Sequence, residues 1–377
     1  MSQVYRFSAP GRTEICGNHT DHQHGCVLAA AVNLDSVAEV TLNETGVIRI
    51  LSQGYAPVEV AVDDLALREE EKNTTAALVR GVAAGFARRG AVLGGFEASV
   101  TSTVLPGSGL SSSASFEVLI GTILNELFFD RKLTAVEIAQ IAQWAENAYF
   151  GKPCGLMDQA ASSVGGMVFM DFNAPSAPIV ERVDFDFAAA GHALCIIDSG
   201  ADHADLTDEY AAITRELGAL CAHFGAKVLR DVPRAEFFAR LPQLKGQVPD
   251  RSILRAIHFY QENDRVLRQV EALRRGDFAT FLTLARQSGR SSWMYLQNIV
   301  PTGAVAHQDV AVALALCDIL LGDRGAFRVH GGGFAGTIQA FVPLDMLDEF
   351  KSGMEAVLGE GSCHVLSVRA EGGVRLA

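Results

Sequence analysis

Two polar clusters interrupt long apolar stretches of this chain, and both carry side chains able to do chemistry. The first is Gly11-Arg12-Thr13-Glu14-Ile15-Cys16-Gly17-Asn18-His19-Thr20-Asp21-His22-Gln23-His24-Gly25. Its guanidinium, carboxylates, imidazoles and amide offer the mixture of donors and acceptors that sugar hydroxyls require. His19, Asp21, His22 and His24 could instead hold zinc, although their spacing fits no standard motif, and a solvated loop is the plain alternative. The second cluster is Leu105-Pro106-Gly107-Ser108-Gly109-Leu110-Ser111-Ser112-Ser113-Ala114-Ser115. A strand-like run from Phe96 leads into it and an apolar helical run from Phe116 to Leu127 leaves it, so the small residues sit where a helix begins. Free N–H groups and a partial positive charge make such a place a seat for phosphate. A serine-capped helix after a Pro-Gly turn is the alternative.

Further candidates lie downstream. Asp158, in Cys154-Gly155-Leu156-Met157-Asp158-Gln159, reads as a partly buried carboxylate that either serves catalysis or caps a helix. Glu146 could ligate magnesium or face solvent. Ser111, Ser112 and Ser113 lack the G-x-S-x-G frame of a hydrolase nucleophile. No G-x-x-x-x-G-K-[ST] sequence occurs. Gly331 to Gly336 matches G-x-G-x-x-G, but strand-like Thr337 to Val342 follows where a dinucleotide site needs a helix, so a glycine turn between strands is expected.

The elements that must position these residues are legible in outline. A short strand is expected to end at Pro10. Cys26–Val32 and Ser36–Leu42 read as strands, as do segments within Val47–Val62. A helix spans Asn73 to Arg89, after a charged segment Arg68–Lys72 read as a solvated face. Thr134 with Glu137 has the form of a capping box, opening a helix that runs to about Phe150. Strands are expected at Met167–Phe172 and Ala193–Asp198. Helices then dominate to about residue 300, and the last unit mixes strands Ala326–His330, Thr337–Val342 and Cys363–Val368 with a helix near Leu344–Leu358. An α+β chain of two domains follows, residues 1–190 and 191–377.

Composition narrows the function classes. A length of 377 residues with 49% hydrophobic content supports a large core, and a formal charge of -13 argues against nucleic acid or an anionic membrane as partner. A small-molecule ligand fits better. The seven scattered cysteines are odd in number and form no C-x-x-C pair, which favours reduced thiols in a cytoplasmic protein. Neither a signal peptide nor a membrane span is expected. Oligomeric state is not encoded legibly.

Taken in order, these segments resemble the three motifs of the GHMP small-molecule kinases, and within them the galactokinase branch. Gly11–Gly25 with His19-Thr20-Asp21 resembles the first, Pro106–Ser115 the second and Gly331–Gly336 the third. Cys154–Gln159 is similar to the galactokinase active-site segment, and Arg255-Ala256-Ile257-His258 with Glu262–Val266 is similar to a helix of that branch. The resemblance implies an N-terminal ribosomal-S5-like domain and a C-terminal ferredoxin-like domain, with ATP and a sugar between them. It implies phosphoryl transfer from ATP to the anomeric hydroxyl.

By motif position, Asp158 would accept or orient the hydroxyl proton and Arg12 would hold phosphoryl charge. Gly107, Ser108, Gly109, Leu110, Ser111, Ser112 and Ser113 would wrap the phosphates, and Ser113 with Glu146 would ligate Mg²⁺. Asn18, His19, Asp21, Gly155 and Tyr210 match sugar-contacting positions. One departure bears on specificity: galactokinases carry Glu where this chain has Asn18, the contact to the C6 hydroxyl. The Asp21-His22-Gln23 run is similar to galacturonate kinases, so galacturonate stands beside galactose as substrate. The paired arginines usual after Tyr210 are absent, with Ala212 in that region. A sugar sensor without turnover is the reading from another class.

Overall fold

The computed structural model describes residues 3–104, 109–201 and 206–376. The chain opens with β1 (Val4–Cys16), β2 (Cys26–Asn43), β3 (Val47–Ser52) and β4 (Val58–Ala61), then α1 (Thr75–Arg88) and β5 (Gly95–Ser102). Three helices follow, α2 (Ser112–Phe128), α3 (Ala135–Ala145) and α4 (Met157–Val164), before β6 (Met167–Asp171) and β7 (Ile179–Val183). The second half starts with β8 (His192–Asp198), α5 (Thr207–Ala222), α6 (Arg234–Leu244), α7 (Asp250–Arg274) and α8 (Phe278–Ser291). It continues with α9 (Asp309–Leu321), β9 (Ala326–Val329), β10 (Thr337–Pro343), α10 (Leu347–Leu358), β11 (Cys363–Leu366) and β12 (Val374–Leu376).

Two sheets result. One runs β12-β1-β2-β5-β3-β4, with β6 and β7 added beside β2, and the other runs β11-β8-β10-β9. The architecture is α+β with two units. Strands of the first sheet end at Val183 and the second sheet begins at His192, but β12, which periodicity did not reveal, pairs antiparallel with β1.

Where the sequence suggested a strand ending at Pro10, β1 continues through the motif to Cys16. Its pairing with β2 shifts register between Pro10 and Arg12 and again between Glu14 and Cys16. Proline lacks a donor for the ladder, and such irregularities accommodate it while re-aiming neighbouring side chains. The two strand segments read at Cys26–Val32 and Ser36–Leu42 are one strand, β2. Its first half is buried on both faces and its second half alternates, because different neighbours flank it along its length.

Helices α1 to α3 cover the first sheet through Val82, Phe86, Val118, Ile123 and Ile138, packed with Phe96 and Ala98 of β5. Their starts are chemically marked: Thr74 accepts from Ala77 N–H, and Thr134 with Glu137 forms the expected capping box. The charged segment Arg68–Lys72 is not wholly a solvated face. Glu71 turns inward to pair with Arg80, whose side chain is only 2% exposed, since a buried guanidinium needs a counter-charge. On the second sheet Ile197, Leu314, Ile338 and Phe350 form a separate core. A third core containing Ile15, Leu28, Phe187, Leu194, Phe281 and Phe341 draws on both units and lies at the seam between them. No helix among the described residues is long and apolar enough to cross a membrane.

Candidate active site

The irregular stretch of β1 presents Arg12 to α4. Arg12 Nε donates to Asp158 Oδ1 at 2.7 Å and a terminal nitrogen donates to Oδ2 at 2.5 Å, so the pairing is two-pronged. Its other terminal nitrogen donates to the Gly109 carbonyl. Arg12 is nearly sealed, but the Asp158 side chain keeps 29% of its surface open. Burial pushes the Asp158 carboxyl up. The Arg12 charge, its hydrogen bonds and one from Ser111 outweigh burial and hold the group below its usual value. Position helps as well, because Asp158 lies in the first turn of α4.

The serine-rich stretch lies against the same arginine. Arg12 N–H donates to Leu110 O at 2.9 Å, and a side chain on Gly11 would run into that carbonyl at 2.9 Å. Ser111 precedes α2 in the left-handed region, φ 56°, and its side chain makes no capping bond. The serine-capped reading therefore fails at this residue, and the hydroxyl turns to Asp158 instead. Gly107 and Ser108 fall outside the described residues.

Ser113 Oγ, in the first turn of α2, donates to Glu146 Oε1 at 3.4 Å. Glu146 is buried where α3 passes into one π-helical turn, Glu146–Phe150. The amide of Gln159 joins Glu146 Oε2 at 2.7 Å to Glu117 Oε2 at 3.1 Å. Glu117 is fully buried and its Oε1 has no hydrogen-bond partner. Burial, then the Glu146 charge, pushes the Glu117 carboxyl well up. Glu117 was not singled out from sequence, because an acid on a largely apolar helix carries no local signal.

The remaining motif residues converge on the glycine turn. Asn18 Nδ2 donates to Gly331 O at 2.5 Å, His19 Nε2 donates to Gly332 O at 2.9 Å, and Tyr210 O–H donates to Gly333 O at 2.9 Å. A side chain on Gly332 would come within 2.5 Å of the Tyr210 ring, so only glycine fits there. Asn18 is fully buried, its oxygen accepting from Asn298 at 2.8 Å and Ser292 at 3.3 Å. Its amide is thus committed to protein partners. Asn298 was also missed by sequence reading, since it comes from a distant loop.

His19 Nδ1 is buried without a partner, and burial, followed by the His22 charge, lowers the ring to about 4. It is an acceptor at neutral pH. Asp21 sits beside Gly155, where a Cβ would lie 2.8 Å from Asp21 Oδ2, and its charge reaches Arg12. The His19 and His22 rings stand 5.7 Å apart, yet among the described residues no three or more His, Cys, Asp or Glu gather as a metal ion of the zinc type needs.

A sealed ion pair underlies this surface. Glu14 pairs with Arg328, which also donates to Ile15 O at 3.0 Å, and both side chains are buried. His330 accepts from Glu14 N–H at 3.3 Å through Nε2, which leaves Nδ1–H to donate to Thr337 Oγ1 at 2.9 Å. Burial, then the Arg12 and Arg328 charges, depresses this ring well below its ordinary value, so it stays neutral.

Residues 77–166 match the GHMP kinases N terminal domain, and residues 2–42 match the galactokinase galactose-binding signature. The fold is similar to that of Lactococcus lactis galactokinase complexed with galactose (TM-score 0.83, 23% identity, 99% of this chain and 95% of that one). It is also similar to a D-glycero-D-manno-heptose 1-phosphate kinase from Bacteriodes thetaiotaomicron (TM-score 0.67, 16% identity, 100% and 99% covered). Streptococcus pneumoniae phosphomevalonate kinase in complex with phosphomevalonate and AMPPNP is a further likeness (TM-score 0.64, 13% identity, 98% and 99% covered). The chain thus carries a GHMP kinases N terminal domain and a galactokinase galactose-binding signature on a fold shared with solved sugar kinases, and these mark it as a phosphotransferase.

Proposed function

We propose that this protein is a sugar 1-kinase that transfers the terminal phosphoryl group of ATP to the anomeric hydroxyl of galactose. GHMP kinases use ATP. The observation that carries the reading is the two-pronged Arg12–Asp158 pair, half-sealed and facing the start of α2. Phosphoryl transfer needs alignment and neutralisation of spread negative charge more than covalent help. Asp158 is held ionised and so can accept or orient the C1 hydroxyl proton. Arg12 stays charged beside it and answers the phosphoryl oxygens. The free N–H groups at the start of α2, with Gly109 to Ser113, suit the phosphates.

Mg²⁺ fits the residues present. Ser113 Oγ and Glu146 Oε1 are hard oxygens within 3.4 Å of each other, with the unpartnered Glu117 Oε1 behind them. Magnesium takes one or two carboxylates and completes its shell with water and phosphate. When bound it would neutralise phosphate charge.

For the sugar, Asp21, the Gly155 backbone and the free acceptor Nδ1 of His19 supply hydroxyl partners, with Tyr210 shaping the glycine turn beside them. Galacturonate is the second reading. Asn18 contributes no negative charge, and the carboxylate its amide meets, Glu14, is paired with Arg328. The first unit would hold sugar and phosphates and the second would close over them. Six of the seven free cysteines are buried, which suits a reducing cytoplasm.

Incubation with ATP, Mg²⁺ and a panel of hexoses and uronic acids is the test. Formation of a sugar 1-phosphate is expected, with galactose preferred over galacturonate in direct competition. Absence of any phosphorylated sugar, with tight sugar binding intact, would favour a sensor instead.

A further inference from the structure

Lys152 stands six residues beyond Glu146, past the left-handed turn at Gly151 that stops the helix. Its Nζ lies 3.5 Å from Glu146 Oε1, the same oxygen that receives the Ser113 hydroxyl. The two members of this pair differ sharply in freedom. The Glu146 side chain is 4% exposed and fixed by Gln159, whereas that of Lys152 is 62% exposed and free to leave. Arg12 is already committed to Asp158, so among the described residues Lys152 is the only cation that pairs with Glu146. Its charge is also felt at Asp158 and Glu117.

We propose that Lys152 is a built-in stand-in for the metal: it holds Glu146 while the site is empty, and moves to the nucleotide phosphates when a divalent cation takes that oxygen. The proposal rests on the reading of Ser113 and Glu146 as metal ligands. Two cations cannot share one carboxylate oxygen without strong repulsion, so arrival of the metal must expel the ammonium. The displaced group is a flexible, strongly hydrated point charge of the kind that binds phosphate without fixed geometry. It would then neutralise the charge that comes with the metal-bound nucleotide. The same residue therefore weakens metal binding to the empty protein and strengthens binding of the metal-nucleotide complex.

Electron paramagnetic resonance of free Mn²⁺, titrated into nucleotide-free protein, reads the first half without any turnover. Lys152→Met should bind Mn²⁺ about fivefold more tightly than wild type, the upper end for an exposed ion pair. Repeating the titration with ADP should show the reverse, with the Mn²⁺–ADP complex held about fivefold more weakly by Lys152→Met. Lys152→Arg, which keeps the charge, should stay near wild type in both. Unchanged or weaker Mn²⁺ binding by nucleotide-free Lys152→Met overturns the proposal. Tighter Mn²⁺ binding without loss of ADP complex affinity overturns it too, because the ammonium would then have no second seat. Glu146→Gln separates the underlying reading: if that variant binds Mn²⁺ as wild type does, the metal assignment fails, whereas its loss of binding leaves only Lys152 in question.

Discussion

Arg12 and Glu14 lie two residues apart on β1, and each forms an arginine–carboxylate pair with a partner far along the chain, yet the pairs have opposite characters. In Arg12–Asp158 the carboxylate keeps 29% of its side-chain surface open, and in Arg328–Glu14 the two side chains are 0% and 5% exposed. Burial is the leading influence on both acids. At Asp158 it is overcome by Arg12 and Ser111, so the carboxyl is lowered; at Glu14 it wins over Arg328, with the Asp21 charge adding to it, so the carboxyl is raised. An ion pair is thus a chemical tool only where surrounding donors favour the charged form and one oxygen stays reachable. Where both partners are sealed, it fixes how the two sheets meet.

Four measurements bear on this contrast. Asp158→Asn should lower turnover by about 10²- to 10⁴-fold, the usual worth of a positioned base, while sugar affinity by calorimetry changes little. Near-normal turnover would strip the open pair of its role. Arg328→Met should instead cost about 3–5 kcal/mol in denaturant unfolding, because it leaves Glu14 buried and unpaired. The double variant Glu14→Leu with Arg328→Met should recover part of that loss, and no recovery would mean the pair is not the source.

A smaller effect is expected on specificity. Asn18→Glu should raise the galactose-to-galacturonate ratio of kcat/KM by about tenfold, equal to 1.4 kcal/mol, by adding negative charge near the sealed pair. An unchanged ratio would show that this position does not sense C6. A separate effect concerns acid. The His19 ring, lowered from 6.5 to about 4, is neutral when folded, so stability is complete above pH 6.5 and declines as pH falls from there to about 4. Glu262, held at about 2 against an ordinary 4.5, makes a second loss over that lower interval. Unfolding midpoints across pH should show both steps, and His19→Gln should flatten the upper one alone.

Much of this was legible in the order of residues. Arg12, Ser113, Glu146 and Asp158 carry glycine, serine or small-residue punctuation around them, and such local breaks in apolar runs survive into the fold as strand irregularities and helix starts. The partners of those residues were less legible. Arg328 reads locally like any strand arginine, and Glu117 like any helix glutamate, until the fold shows which distant charge each meets. The reading of Asn18 was similarly incomplete: its identity was plain, but its capture by Gly331, Asn298 and Ser292 depends on segments 274 to 313 residues away. Local periodicity also stopped β1 at Pro10, because proline is a breaker everywhere except at such irregularities.

The return of β12 to the edge of β1 has a bearing on how the chain is made. Ribosomal synthesis delivers β1 long before Val374–Leu376, so one edge of the first sheet stays bare until the elements between them have emerged. An unpaired edge is a template for other chains. Long-range pairing of this kind is also slow to form. Nascent or truncated chains lacking β12 are therefore where aggregation of this protein would begin, because the edge of β1 is then left open.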